Sequence, residues 1–386
     1  MEVLMNKKYN LFLTALFCLF LGGFSLWHLA APDSDFSANE NRYLAKLPTP
    51  DFTIGTLTAP EGNFFSGEFM EDFESYVNDQ FPLRDSWVEL KARMELLSGK
   101  HANNSVYFTP MGLVADFPTP NENKLNQNFG YVAALGEKLD IPVYFSLIPG
   151  KSEEWKPLLP SGAPAADQSV ILEQAAQTPN MTWLDMDLPM ETVLNDRAYP
   201  SFYATDHHWT TAGAYQGYVD LMEGMGLTVH PLEELTTVSE DFYGTTWSKA
   251  GAYWVPGDSM EIGVSDEGVT VTNNFNGTPT EGKLYNYENL EKKDKYTFFL
   301  GGNQPLCIVN SDKEDAEGRL LVIRDSFSDS LTPFLTQNFE EIHLLDLRYY
   351  KAPLGQYLQQ NRIDSVLVLY SVDNFASDGN LFVLGM

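Results

Sequence analysis

Cysteine and positive charge are both scarce in this sequence. Of the 386 residues only two are cysteines, Cys18 and Cys307. Cys18 lies in an apolar segment and Cys307 is far along the chain, so we expect no disulfide framework. Lysine and arginine number 24 against 53 acidic residues, which gives a formal net charge of −29. A surface of that sign repels nucleic acid phosphates, so we expect no DNA or RNA partner.

The sequence also lacks internal repeats and long low-complexity tracts. Apolar residues make up 44% of it and aromatic residues 13%. That composition is ample for a hydrophobic core and excludes a disordered chain. The length suits one large α/β domain or two smaller domains.

Ionisable side chains are almost absent from residues 11–31, where His28 is the exception. This apolar run is about as long as the roughly 20 residues that a bilayer-spanning helix needs. Lys7 and Lys8 precede the run and acidic residues follow it, so the positive-inside tendency places the rest of the chain outside the cytoplasm. We therefore predict a single-pass anchor in a bacterial cell membrane, with the cytoplasmic tip and span at residues 1–31. A cleaved signal peptide is the alternative, and it would make the protein secreted.

The rest of the chain divides by pattern into two parts. Residues 32–124 are predicted to hold an extended arm over 32–60, helices over 64–97 that break at Phe81-Pro82, and a hairpin over 105–115. Residues 125–386 alternate strand-like and helix-like segments, which indicates an α/β domain with a parallel sheet and helices on both faces. Within it, residues 230–318 are rich in Gly, Thr, Asn and Tyr and are predicted to be a β-rich insertion. The strands are expected at 141–148, 181–186, 319–323, 342–345 and 365–370, and the helices at 125–139, 165–177, 211–225, 327–337 and 353–361.

A first polar cluster occupies residues 205–209 (TDHHW), in a chain with only six histidines. Side chains two residues apart on an extended backbone lie on the same side, so Asp206 can accept a hydrogen bond from one nitrogen of His208. The other nitrogen is then free to act as a base, and His207 is expected to point the opposite way. One alternative is a structural histidine that is hydrogen-bonded in a turn. A metal site on Asp206, His207 and His208 is another, but adjacent histidines usually diverge, and we expect no metal and no cofactor.

A second cluster, residues 324–328 (RDSFS), follows a strand-like run that ends at Ile323. Ligand sites in open parallel sheets lie at the carboxyl ends of the strands. Unpaired N–H groups at the start of a helix can stabilise an oxyanion on a carbonyl that Ser326 attacks. The alternative is that Ser326 only caps the helix. Taken together, the two clusters predict Ser326 as nucleophile, His208 as base and Asp206 as orienting acid.

The DHHW string at residues 206–209, with DSFS downstream at 325–328, resembles the DHHW protein family of bacteria. More remotely, the chain is similar to alginate O-acetyltransferases, which have an SGNH-hydrolase-like fold. The resemblance extends over nearly all of the chain beyond residue 35. Its further matches are Glu40-Asn41-Arg42, residues 73–84 (FESYVNDQFPLR), Pro149-Gly150-Lys151 and Asp241-Phe242-Tyr243-Gly244.

The resemblance implies a Ser–His–Asp triad made of Ser326, His208 and Asp206. It also implies a Gly and an Asn that help to form an oxyanion hole, and Asn374, just after the last strand, is the candidate donor. Arg324 stands where a Gly-Asp-Ser pattern would have Gly, so the close backbone approach that Gly allows is not expected there. Its side chain becomes a candidate for contact with the oxyanion or the substrate.

The function implied by the resemblance is acyl transfer or hydrolysis on a cell-surface polysaccharide, by an O-acetyltransferase or esterase outside the cytoplasm. Aromatic side chains, Trp209 among them, are candidates for shielding the site from water and stacking on sugar rings. The expected partners are the polysaccharide or acyl donor, the membrane through the N-terminal helix, and a multi-pass membrane acyltransferase. The alternative is a non-catalytic glycan-binding or assembly protein of the cell envelope, which the Arg324 departure favours.

Overall fold

A computed structural model describes residues 2–52, 63–163, 165–275 and 277–385. The helices of this part of the chain are α1 (Glu2–Ala30), α2 (Glu68–Asp79), α3 (Arg84–Leu97), α4 (Glu122–Lys138), α5 (Lys151–Glu154), α6 (Ser169–Ala176), α7 (Thr211–Met225), α8 (Thr245–Ala250), α9 (Ser328–Leu335), α10 (Leu354–Asn361) and α11 (Val372–Ser377). Short 3₁₀ helices occur at Lys156–Leu158, Tyr287–Glu291, Lys295–Phe298 and Leu381–Gly385.

The strands are, in chain order, β1 (Phe36–Ser37), β2 (Arg42–Tyr43), β3 (Ala102–Asn103), β4 (Val106–Thr109), β5 (Gly112–Ala115), β6 (Val143–Ile148), β7 (Thr182–Trp183), β8 (Glu191–Leu194), β9 (Arg197–Pro200), β10 (Thr236–Phe242), β11 (Asp258–Ile262), β12 (Val269–Phe275), β13 (Thr278–Gly282), β14 (Leu306–Ser311), β15 (Arg319–Arg324), β16 (Glu341–Leu345) and β17 (Ser365–Ser371). The predicted hairpin over 105–115 is confirmed by the antiparallel pairing of β4 with β5.

The chain forms two compact units. One consists of Met1–Ser98 with Gly251–Tyr253, and the other of Gly99–Ala250 with Trp254–Met386. The domain boundaries expected at residues 31 and 124 stay predictions. Part of the predicted extended arm, residues 53–60, lies outside the described residues.

The first unit contains a long apolar helix followed by a helical pair. Within α1, the 24 residues Lys7–Ala30 have a mean hydropathy of 1.8 and are long and apolar enough to cross a membrane. The ring of Phe24 in this helix lies 5.7 Å from that of Phe81 and 5.8 Å from that of Trp87. The predicted break at Phe81-Pro82 is confirmed, because α2 ends before Pro82 and α3 begins after it.

The second unit is built on an eight-stranded sheet with the order β13-β12-β14-β16-β15-β17-β6-β7. The strands from β16 to β7 in that order pair in parallel. At the other side of the sheet, β14, β12 and β13 pair antiparallel. Those three antiparallel strands fall within residues 230–318, so the predicted β-rich insertion extends the central sheet.

Alternate side chains of β15 enter two hydrophobic cores on opposite faces of the sheet. Leu320 and Val322 pack with residues of α7 and α9, whereas Leu321 and Ile323 pack with residues of α4, α10 and α11. A strand buried on both faces reads as a continuous apolar run, as this one does. Burial of each such side chain stabilises the fold by roughly 1.5–3 kcal/mol. The predicted α/β class, with parallel strands in the central sheet and helices on both faces, is therefore confirmed.

Three neighbouring parallel strands deliver polar segments to one edge of the sheet. β15 leads into residues 325–327, β17 ends at Ser371, and β6 leads into Gly150 and Lys151. These strands lie side by side in the order β15-β17-β6. Since the carboxyl ends of parallel strands meet at one edge, the segments that follow them converge there.

Candidate active site

The turn between β15 and α9, residues 325–327, is called the serine turn below. The buried carboxylate of Asp325 holds it in place. Its Oδ1 accepts from the Phe327 amide at 3.0 Å. Its Oδ2 accepts from the Ser371 amide at 2.8 Å, the Ser371 hydroxyl at 2.7 Å and Asn374 Nδ2 at 2.8 Å. Because these bonds join the ends of β15 and β17, they fix Ser326 relative to the sheet.

Residues 203–208, which carry Asp206 and His208, are called the dyad loop below. The loop is closed by an antiparallel bridge between Phe202 and Trp209. The buried indole of Trp209 donates to the Phe327 carbonyl at 3.0 Å. This bond ties the dyad loop to the serine turn.

His208 lies between Asp206 and Ser326. Its Nδ1 is 2.5 Å from Asp206 Oδ1, and its Nε2 is 2.8 Å from Ser326 Oγ. An ionised carboxylate can only accept, so Nδ1 carries the proton and the Nε2 lone pair faces the serine hydroxyl. The arrangement has the geometry that a serine nucleophile, a base and an orienting acid require.

The charges of this group of side chains suit proton transfer. Burial and the neighbouring His207 lower the pKa of His208 to about 4, so its imidazole is neutral at neutral pH and can take a proton. Burial by itself would raise the pKa of Asp206. The imidazoles of His207 and His208 outweigh that effect and hold this pKa well below its usual range, so the carboxylate stays ionised.

The second oxygen of Asp206 is bound at the start of α8. Thr245 donates to Oδ2 from its amide at 2.6 Å and from its hydroxyl at 2.9 Å. Gly244 lies so close that a Cβ there would be 2.3 Å from the same oxygen. A side chain at this position would collide with the carboxylate, so Gly244, the last residue of the DFYG motif, allows the close approach of the backbone to Asp206.

Tyr296 belongs to the site although nothing in the sequence indicated it. Its ring stacks on the His208 imidazole, with centroids 3.8 Å apart and planes inclined by 11°. Its hydroxyl donates to the Ser326 carbonyl at 3.2 Å and shares a 3.0 Å hydrogen bond with Ser330 Oγ. The residue lies inside the β-rich insertion with no motif around it, and only the fold brings it to His208.

A cavity of about 290 Å³ opens beside the serine turn. Its lining includes Lys151, His207, Phe327, Asp373 and Asn374. Asn374 thus lines the cavity next to the serine turn, and Asp325 accepts one of its two amide protons. Its role stays a prediction.

The placement of Arg324 and Trp209 differs from the expectation that they contact substrate. Both side chains are fully buried, and neither is among the described residues that line the cavity. Arg324 Nη1 lies 2.7 Å from Asp329 Oδ1 in α9, so the guanidinium pairs with a buried acid. Trp209 uses its indole N–H inside the protein and presents no face on which a sugar ring could stack.

His207 does not point away from His208, so that expectation is wrong. The two rings lie 3.9 Å apart, and His207 Nδ1 is 2.7 Å from the Thr245 hydroxyl. The reason is that Thr245, which also binds Asp206, gives His207 a partner on the same side of the loop. Ligand atoms of Asp206, His207 and His208 come within 4.8 Å of one another, which is close enough for them to bind one metal ion. Both nitrogens of His208 are already engaged, so a metal ion would have to displace Asp206 or Ser326.

Fold and site together define an α/β protein with a Ser–His–Asp group at the carboxyl edge of its parallel strands. Residues 189–345 match the family model described as DHHW protein, and this range includes the DHHW string. The resemblance to the DHHW protein family is thereby confirmed. Among curated proteins, none matches the chain.

Solved structures with a similar fold include a DHHW family protein from Eubacterium siraeum. It has a TM-score of 0.60 and 18% identity, over 73% of this chain and 95% of that one. Bacillus cereus PatB1 with a sulfonyl adduct has a TM-score of 0.56 and 20% identity, over 71% of this chain and 98% of that one. The O-acetyltransferase domain of Pseudomonas putida AlgJ is less similar, with a TM-score of 0.42 and 13% identity over 71% of this chain and 93% of that one. The first two likenesses show a shared fold alone.

Proposed function

We propose that this chain is an extracytoplasmic serine acyl-handling protein, an O-acetyltransferase or esterase that acts on a cell-surface polysaccharide. The observation that carries the proposal is the 2.8 Å distance between His208 Nε2 and Ser326 Oγ, with Asp206 bound to the other imidazole nitrogen. The sulfonyl adduct of PatB1, a protein of similar fold, supports it, because sulfonyl electrophiles react with activated nucleophiles.

The reaction has two balanced halves. In the first, Ser326 Oγ bonds to the acyl carbon while its proton moves to His208 Nε2, and the bond to the leaving group breaks as that group takes the proton from His208. In the second, a sugar hydroxyl gives its proton to His208 Nε2 and bonds to the acyl carbon, and the bond from that carbon to Ser326 Oγ breaks as Oγ takes the proton from His208. Water in place of the sugar makes the same step a hydrolysis.

Negative charge develops on the carbonyl oxygen in both halves, and N–H donors are needed to stabilise it. No acceptor among the described residues is bonded to the Ser326 amide. Asn374 has a second amide proton beyond the one that Asp325 accepts. We assign the oxyanion hole to these two donors.

The N-terminal helix supports a protein that is anchored in a membrane or exported by a signal sequence. With Lys7 and Lys8 before the apolar run, we infer that the second unit lies outside the cytoplasm, where surface polysaccharides are found. A multi-pass membrane acyltransferase that supplies acyl groups is proposed as partner on the resemblance alone.

Incubation with an activated acetyl ester tests the proposal. We expect the parent protein to form an acetyl-enzyme at Ser326, located by peptide mapping, and Ser326→Ala to form none. Ser169→Ala, which changes an exposed serine at the start of α6, is the control and should acetylate like the parent. Equal acetylation of Ser326→Ala and parent would overturn the mechanism, and an inert parent would favour the non-catalytic glycan-binding alternative.

A further inference from the structure

A buried lysine holds the backbone of the dyad loop. Lys151 is the first residue of α5, directly after the segment that leaves β6. Its ammonium donates to the carbonyls of Tyr203 at 2.5 Å, Ala204 at 3.2 Å and Asp206 at 3.2 Å. A lysine ammonium has three N–H donors, so these three bonds use its full capacity. Nζ also lies 4.3 Å from the ring centroid of Trp155, which is a favourable contact for a cation.

A half-buried aspartate at the start of β11, Asp258, binds amide groups of the same backbone. Asp258 accepts from the amide of Ala204 at 2.7 Å and from the amide of Thr205 at 2.8 Å. It also accepts from the Thr205 hydroxyl at 2.5 Å. The cation of Lys151 therefore binds carbonyls of the dyad loop, and the anion of Asp258 binds two amides just before Asp206.

Withdrawing the charges of Lys151 and Asp258 from water costs free energy unless hydrogen bonds compensate for it. Burial disfavours a charged ammonium and lowers the pKa of Lys151 to about 7, although Asp258 and Asp206 favour the charge. Burial also raises the pKa of Asp258. Apolar side chains of similar size would avoid both penalties. They would leave the carbonyls of Tyr203 and Asp206, and the two amides that Asp258 binds, without these partners.

We propose that Lys151 and Asp258 are positioning residues that set where Asp206 and His208 stand relative to Ser326. The expected effect of these residues on the reaction rate rests on the function proposed above. Neither residue touches the reacting atoms; Lys151 binds the carbonyl of Asp206, and Asp258 binds the residue before it. Their loss moves the imidazole out of reach of the serine hydroxyl, and a misplacement of about 1 Å can cost about 10²-fold in rate.

Three variants of the full chain test this inference by two readouts. We expect Lys151→Met to lower the rate of Ser326 acetylation at least tenfold and to increase hydrogen exchange of the amides at 203–209. Lys151→Arg keeps the cation and should recover part of both losses, which a merely space-filling side chain would not do. Asp258→Asn should change both readouts in the same direction as Lys151→Met. Lys156→Met, an exposed lysine five residues further along, is the control and should match the parent.

The two readouts separate this inference from the proposed function. If Lys151→Met folds, acetylates at the parent rate and exchanges amides like the parent, the positioning role is wrong. If Lys151→Met does not fold, Asp258→Asn decides, and parent-like behaviour of that variant overturns the role. If the parent itself is never acetylated, the proposed function falls, and amide exchange alone decides whether the loop is held as inferred.

Discussion

The serine turn and the dyad loop reach the same point by different routes. The turn follows β15, which pairs in parallel with β16 and β17 and is buried on both faces. The loop lies between β9 and α7, outside the central sheet, and is held by polar groups from distant segments, among them Lys151, Thr245 and Asp258. The central sheet therefore fixes the position of the nucleophile, Ser326, whereas individual hydrogen bonds fix the position of the base, His208.

This difference predicts different consequences of substitution. Changes in the dyad loop should remove activity and leave the fold nearly intact, because the two hydrophobic cores do not depend on the loop's polar contacts. Changes in the serine turn should also lower the stability of the fold, because the carboxylate of Asp325 joins the ends of two central strands.

The largest effect is expected from Asp206→Asn in the dyad loop. Thr245 donates twice to the other carboxylate oxygen, so an Asn side chain would turn its oxygen to Thr245 and its NH₂ to His208 Nδ1. The imidazole is then held in the wrong tautomer, and the acetylation rate should fall about 10⁴-fold. Thermal unfolding should change little. A variant that acetylates within tenfold of the parent would contradict the role of Asp206.

The next largest effect is expected from Gly244→Ala. The added Cβ would stand 2.3 Å from Asp206 Oδ2, so the carboxylate must move and the acetylation rate should fall about 10²-fold. Gly130→Ala is the matched control, since a Cβ at that position in α4 meets no atom within 4 Å. Equal rates for the two variants would show that the close contact at Asp206 does not matter.

A change in the serine turn, Asp325→Asn, is expected to act on stability. The substitution removes the charge from hydrogen bonds that join β15 to the end of β17, and bonds to charged groups contribute about 1.5–3 kcal/mol each. We expect urea unfolding to show a loss of about that size, with Asp315→Asn on the exposed surface as control. An unchanged midpoint would remove the contrast between the two regions.

The smallest effect is expected from Tyr296→Phe. The ring can still stack on His208, and only the hydrogen bonds to Ser326 and Ser330 are lost. We expect a fall in acetylation rate of no more than about thirtyfold, because two neutral hydrogen bonds contribute about 2 kcal/mol together. Tyr296→Leu, which also removes the stacked ring, should be slower than Tyr296→Phe, and the reverse order would contradict the supporting role of the ring.

The same contrast explains what the sequence could predict. β15 was predicted because burial on both faces requires an unbroken apolar run, and Ser326 follows from its place after that run. Asp206 and His208 were predicted because a local spacing pairs them. Tyr296, Lys151 and Asp258 were not predicted as parts of the site, since they act through contacts with residues far away in the chain. The orientation of His207 was missed for the same reason, because Thr245 determines it.

The most direct test is to treat the full chain with an aryl sulfonyl fluoride and map the adduct, in the parent and in His208→Gln. If His208 removes the proton as Ser326 Oγ displaces fluoride, the parent should carry the sulfonyl group on Ser326 and His208→Gln should remain unlabelled. An adduct that forms on Ser326 equally fast without the imidazole, or a parent that never labels there, would contradict the account.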